Sequence, residues 1–194
     1  MTETVTETLG LTPSQTVGPY LKIGLLRDLI VPQLVDPTDP RAIRIHGQLL
    51  DGAGDRVPDG MVEIWQANAA GRYAHPADTR DDTPLEEGFG GFGRSGTVDE
   101  GRFEFVTVKP GPVPWPAGGM QAPHIDVGVF SRGLLKRLAT RIYFPDEPEA
   151  NEADPVLAAL DPAERATLVA VADAGGLRFD IHLQGERQTT FFAV

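Results

Sequence analysis

The stretch Ile43-Arg44-Ile45-His46-Gly47-Gln48-Leu49, followed by Asp51-Gly52-Ala53-Gly54-Asp55 and then by Met61-Val62-Glu63-Ile64-Trp65-Gln66, decides the fold class. Ile43, Ile45, Gly47 and Leu49 recur at every second position, the period that puts one row of side chains on one face of a strand. The Gly-Asp cluster supplies a turn, and the next segment returns as a second strand. Further out, the same pattern recurs at 102–108, with Phe103 and Phe105 on one face, and at 124–130, with Ile125, Val127 and Val129. Residues 138–144, 177–183 and 188–193 continue it. Strands this short, cut by 17 prolines and 22 glycines, predict a mainly β protein: a single-domain β-sandwich over residues 1–194.

One short helical region is expected among the strands. Asp161-Pro162-Ala163-Glu164 supplies an N-cap, a proline at the first helical position and a capping-box glutamate, leading into 165–171 before Gly175 and Gly176 stop it. Two long loops are expected, the proline-dense 31–40 and the glycine-rich 86–96. The latter is no phosphate loop, because it lacks the strand before, the helix after and the Lys-Ser/Thr that would hold phosphate.

A chain of 194 residues is long enough to bury a core without cross-links, and it has no cysteine. That excludes disulfides, zinc-thiolate and iron–sulfur sites and a thiol nucleophile. A net charge of −11 argues against a nucleic-acid partner. The only basic cluster is Arg132, Lys136, Arg137 and Arg141, whose plain explanation is an exposed, ion-paired strand face. The first ten residues are polar and Thr-rich, and no apolar run has transmembrane length, so a soluble cytoplasmic protein with no membrane partner is expected.

His124 and Asp126 fall on one strand face, opposite Ile125, Val127 and Val129. With His182 they have the composition of a two-histidine, one-carboxylate Fe(II) oxygenase triad, and Arg187-x-Thr189 follows as a cosubstrate-binding arginine would. The plain alternative is that His124 hydrogen-bonds structurally, Asp126 accepts from backbone or an arginine, and His182 points outward. His46 and His75 have no partner pattern, and no serine triad or nucleophile elbow is present. The turns around Gly101-Arg102-Phe103-Glu104-Phe105 and Val108-Lys109-Pro110-Gly111 also suit a non-enzymatic, transthyretin-like binding module.

Several separated motifs go further. Thr12-Pro13-Ser14-Gln15-Thr16-Val17-Gly18-Pro19-Tyr20, Glu63-Ile64-Trp65-Gln66-Ala67-Asn68-Ala69-Ala70-Gly71-Arg72-Tyr73 and Phe105-Val106-Thr107-Val108-Lys109-Pro110-Gly111-Pro112 resemble the intradiol ring-cleavage dioxygenases. So do Ala122-Pro123-His124-Ile125 and Arg178-Phe179-Asp180-Ile181-His182-Leu183-Gln184-Gly185, so the resemblance covers nearly the whole chain. It implies a sandwich of the intradiol type and ring cleavage at a non-haem Fe(III) held by two tyrosines and two histidines.

Carried over position by position, Tyr73 stands for the first tyrosine and Val113 for the second, His124 for the first histidine and Asp126 for the second. Valine has no lone pair, so no catalytic iron and no catalytic residue are expected in this chain. That departure resembles the alpha-type subunits of the family, which pair with a homologous, iron-bearing beta subunit. The resemblance then implies Fe(III) bound by the partner, and protocatechuate (3,4-dihydroxybenzoate) cleaved with O₂ to 3-carboxy-cis,cis-muconate. It implies also a higher-order hetero-oligomer, in which an N-terminal arm, residues 1–40, reaches the partner. Substrate contacts from this chain would come from Thr16, Gly18, Pro19 and Arg132. Gly-Pro offers a backbone edge free of side chain to a flat ring, and Arg132 a fixed positive fork to a carboxylate.

Overall fold

The computed structural model describes residues 20–26 and 30–193. Strand β1 (Ala42–Leu50) is the axis of the first sheet. Along one edge it pairs antiparallel with β4 (Arg102–Val108), from Ala42 opposite Val108 to Gln48 opposite Arg102. Its other edge carries β10 (Gly176–Arg178) and then β11 (Ile181–His182), both parallel to it, and β9 (Val171–Asp173) pairs with β10.

The strand expected over 177–183 is therefore split, and the cause lies at Gly47. A Cβ there would stand 1.9 Å from the carbonyl oxygen of Phe179, so the chain can cross only because the position is glycine. Beside it the Asp180 carboxylate takes the N–H of Gln48 at 3.1 Å, replacing a backbone partner.

The second sheet runs β3 (Phe92–Gly96), β2 (Met61–Trp65), β7 (His124–Phe130), β8 (Leu138–Tyr143), antiparallel throughout. Its inner face sets Val62, Ile64, Ile125, Val127, Val129 and Ile142 into one core cluster with Ile45, Leu49, Phe103 and Phe105 of the first sheet. Each such side chain contributes about 1.5–3 kcal/mol on burial. The alternation seen in the sequence thus produces the sandwich.

Strand β3 corrects the expectation of an irregular loop over 86–96. A Cβ at Gly93 would come to 2.7 Å from Leu34 Cδ1 and 2.9 Å from Ile64 Cγ1, so glycine here permits close packing inside a strand. The 31–40 loop is irregular as expected, fastened by the bridges Val31–Arg94 and Gln33–Val106.

The helical region is longer at its start and shorter at its end than its cap suggests. Helices α2 (Pro148–Ala153) and α3 (Pro155–Ala158) precede α4 (Pro162–Ala166), and α1 (Tyr20–Leu25) stands apart. At α4 the Asp161–Glu164 capping box is formed in both directions. The helix stops at Ala166, however, because the Thr167 hydroxyl donates to Glu164 O at 2.7 Å and accepts from Thr190 N at 3.0 Å, turning the chain toward β9. Residues 188–193 form no strand and meet the second sheet through the Ala139–Phe192 bridge, the Thr140 hydroxyl donating to Thr190 O at 2.7 Å, and Phe192 beneath the Arg141 guanidinium. Two short strands, β5 (Val113–Pro114) and β6 (Met120–Gln121), form a separate ladder just before β7. Among the described residues no helix is long and apolar enough to cross a membrane.

Candidate functional site

Strand register brings the candidate residues together on the outer face of the second sheet. Phe92 pairs with Trp65, Trp65 with Asp126, and Asp126 with Arg141, so one row crosses all four strands; His124 stands opposite Tyr143. Residues paired this way have their Cβ atoms about 4.5–5.5 Å apart.

Arg141 is the hub. Its Nε donates to Asp126 Oδ1 at 2.8 Å, and its Nη1 donates to Gln121 Oε1 at 2.8 Å and to the Tyr143 hydroxyl at 3.4 Å. Tyr143 donates onward to Asp154 Oδ1 at 3.3 Å. Asp154 is fully buried and also accepts from the backbone N–H groups of Ala122, Val156 and Leu157, so it caps α3 and ties the start of β7 to the helical region. Burial works against the Arg141 charge more than any other single influence, but the Asp126 carboxylate and the Tyr143 hydroxyl together outweigh it and the guanidinium pKa is raised.

His124 is buried, and its Nδ1 lies 2.7 Å from Ala122 O. A carbonyl only accepts, so Nδ1 carries the proton and Nε2 has a bare lone pair. That Nε2 is buried and has no hydrogen-bond partner. Burial first, and the Arg141 charge second, hold the imidazole pKa below its ordinary value, so the ring is neutral.

Tyr73 stacks on Trp65 with ring centroids 6.0 Å apart and planes 10° from parallel. Burial, and then the Asp126 carboxylate, push its phenol up to about 12, so it is protonated at neutral pH. Its loop is held by Gly71, whose φ is +82° and whose added Cβ would stand 2.1 Å from Pro112 O. This close crossing carries residues 111–113 against the Tyr73 loop. Tyr73, Trp65, Val113 and Gln121 line one cleft of about 460 Å³. On the other side of Trp65 a groove of about 650 Å³ is lined by Trp115, Asp126, Arg137, Arg141 and Phe192.

This donor set does not fit the ferric site that the resemblance implies. Val113 offers hydrocarbon, and the Asp126 carboxylate is engaged by a permanent cation. What remains is a protonated phenol and one imidazole lone pair, against the four protein ligands required.

The Fe(II) triad is not formed either. His182 is on β11 in the first sheet, while His124 and Asp126 are on β7 in the second. Among the described residues no three His, Asp or Glu side chains come within reach of one metal ion. Two residues with period-two spacing share a face whatever the fold, but the third has to come from the same sheet.

Arg132 lies in the turn after β7, at the end of that strand opposite His124, a separation of roughly 20 Å at about 3.3 Å per residue. It therefore does not serve this chain's own pocket. Its side chain is 76% exposed and its Nε contacts Asp59 Oδ2 at 2.9 Å. Thr16, Gly18 and Pro19 lie outside the described residues.

Sequence reasoning counted Arg141 only as part of a basic cluster and did not single out Gln121, Tyr143 or Asp154 for the site. The signal for Arg141 was its place in β8, which becomes legible only once Val129 is known to pair with Leu138.

Comparison with known proteins agrees with this geometry. A family model described as "Dioxygenase" matches residues 27–185. The protocatechuate 3,4-dioxygenase alpha chain of Burkholderia cepacia is 44% identical over 203 residues, covering 96% of this chain and 99% of that protein. The beta chain from the same organism is 37% identical over 164 residues, covering 79% of this chain and 68% of that one. Among solved structures, the dioxygenase domain of a dioxygenase–carbohydrate-binding fusion from Streptomyces sp. SirexAA-E is 27% identical with a TM-score of 0.58, covering 90% of this chain and 98% of that one. With a family model over most of its length and an end-to-end relative on the same sandwich, the chain belongs to the intradiol dioxygenase family.

Proposed function

We propose that this chain is the iron-free, alpha-type subunit of an Fe(III) intradiol dioxygenase that cleaves protocatechuate with O₂ to 3-carboxy-cis,cis-muconate. The observation that carries this is the match to an alpha chain along 99% of that protein's length, in a chain whose ligand positions hold Val113 and an Asp126 already paired to Arg141. The ferric ion and the bond-breaking chemistry belong to a homologous beta-type partner, with which the chain forms a higher-order hetero-oligomer in the cytoplasm.

This chain, as a single domain, contributes shape and charge. Arg132 serves a site across the subunit boundary, a reading supported by its exposure and its distance from this chain's own pocket. Its contact with Asp59 is open to solvent on the arginine side, which limits its worth to the order of 1 kcal/mol, so exchanging that carboxylate for a benzoate carboxylate costs little. In a molecule of net charge −11 such a fork is the local positive point an anionic substrate requires. Thr16, Gly18 and Pro19, carried on the arm of residues 1–40, form the backbone edge against the aromatic ring.

The test is metal content and protocatechuate-dependent O₂ uptake for the chain expressed alone and together with a beta-type partner. Iron and uptake are expected only in the pair. Iron and turnover in the lone chain would overturn the proposal.

A further inference from the structure

The pocket of this chain has lost two ligands, yet it is not stripped of donors. His124 Nε2 is buried with its lone pair bare, and two residues along the same face of β7 the Asp126 carboxylate is 38% exposed. An imidazole and a carboxylate are donors that bind divalent metals in many proteins. A buried ring nitrogen with no partner is also uncommon in a folded chain and calls for an explanation. Something other than the absence of Val113's counterpart has to keep cations out.

We propose that Arg141 is a built-in cation that takes the place of a metal in this pocket and so excludes metal ions from it. Its side chain is only 18% exposed and is fixed by three hydrogen bonds, to Asp126, Gln121 and Tyr143. The guanidinium neutralises Asp126, the one formal negative charge beside the His124 imidazole. An incoming M²⁺ would have to break the 2.8 Å contact between Nε and Oδ1 and then sit beside an arginine, which cannot deprotonate to relieve the repulsion.

The arrangement accounts for why the pocket folds without a metal. The chain supplies, from its own strand β8, the positive charge that a carboxylate beside a buried imidazole requires. It also has a consequence for assembly: beside a partner that must acquire iron, a homologous chain with residual donors would compete for it, and Arg141 removes that competition. The assembly argument rests on the proposed function; the exclusion argument rests only on this pocket.

The experiment uses the full chain, wild type, Arg141→Gln and Arg141→Lys, with Co²⁺ as the probe in equilibrium dialysis. Wild type and Arg141→Lys are expected to take up no Co²⁺ at the pocket, and Arg141→Gln to bind one ion at least tenfold more tightly. Equal Co²⁺ binding by wild type and Arg141→Gln, or binding by Arg141→Lys as tight as by Arg141→Gln, overturns the proposal. Should Arg141→Gln not fold, the double variant Val113→Tyr, Asp126→His supplies the family's ligand types with Arg141 in place. It is expected to remain free of Fe(III) and of the visible tyrosinate-to-iron band, and the appearance of that band overturns the proposal. A failure of the functional assignment would show instead as absent pairing with a beta-type chain, whatever the cobalt result.

Discussion

Asp126 and Arg141 face each other as a directly opposed pair on adjacent antiparallel strands, with Nε 2.8 Å from Oδ1. The pairing is set by strand register, so neither side chain needs to search for the other, and it is extended by Gln121 and Tyr143 into a network that spans β6, β7 and β8. Truncating the arginine leaves a carboxylate that is only partly hydrated. Arg141→Met is therefore expected to lower stability by about 2 kcal/mol. In urea unfolding, Asp126→Leu combined with Arg141→Met should lose less than the sum of the two single changes, as a double-mutant cycle through a direct contact requires.

Asp154 supports that network from below. It is fully buried and accepts from three backbone N–H groups as well as from Tyr143, linking α3 to the start of β7. Asp154→Ala removes an N-cap, worth about 1 kcal/mol, and strands a further buried donor at Ala122. A loss of about 3 kcal/mol is expected in chemical denaturation. Tyr143→Phe, which removes two long hydrogen bonds, one accepted from Arg141 at 3.4 Å and one donated to Asp154 at 3.3 Å, should cost about 1–2 kcal/mol.

Gly71 fixes the Tyr73 loop through close approach. Alanine there would hold a left-handed backbone at a cost of about 1–2 kcal/mol and drive its Cβ toward Pro112 O, 2.1 Å away in the unrelaxed backbone. Gly71→Ala is expected to lose about 3 kcal/mol in total. It should also alter tryptophan fluorescence, because Tyr73 stacks on Trp65, one of only two tryptophans in the chain.

Much of this was legible in the sequence, and the misses have physical causes. Period-two alternation located β1, β2, β4, β7 and β8 and put His124 and Asp126 on one face. The Asp161 capping box marked the start of α4 to the residue. The glycine-rich β3 was hidden because glycine signals both turns and tight packing, and only the neighbours Leu34 and Ile64 distinguish them. The split between β10 and β11 was hidden because it depends on which residue of β1 lies beneath Phe179. Arg141 was hidden because the β7–β8 connection is too long for turn chemistry to fix its register. The ligand losses at Val113 and Asp126 were readable by resemblance, whereas the cation between the donors required the folded sheet.

His124 gives a pH prediction with a definite sign. Its folded-state pKa lies below the unfolded value of about 6.5 because of burial and Arg141, opposed by Asp126, the Ala122 carbonyl and Asp154. Between those two values the unfolded chain binds more protons than the folded one. Stability is therefore fully present above about pH 6.5 and declines as pH falls below it, by at most about 1.4 kcal/mol per unit for one group. His182, also held low by burial and by Arg187, acts in the same direction. Urea midpoints between pH 7 and roughly pH 5, below the model imidazole value, should fall for the wild-type chain. The fall should be shallower in His124→Asn and shallowest when His182 is also replaced.

Arg132 separates the roles of folding and substrate capture. In the lone chain its contact with Asp59 is exposed on the arginine side, so Arg132→Ala should change stability by less than about 1 kcal/mol. On the proposed function, the same change in the heterocomplex removes a fork for the substrate carboxylate. A charge-assisted hydrogen bond of about 1.5–3 kcal/mol corresponds to a KM for protocatechuate raised by roughly 10- to 150-fold. Because the arginine binds a group that does not react, kcat should change far less than KM. Catechol, which lacks the carboxylate, should be turned over equally by wild-type and Arg132→Ala complexes. Asp59→Asn acts as the opposite control: it frees the guanidinium, so KM should fall or stay constant while the fold is unaffected. An Arg132→Ala complex with unchanged KM for protocatechuate would return Arg132 to the role of a surface residue paired with Asp59.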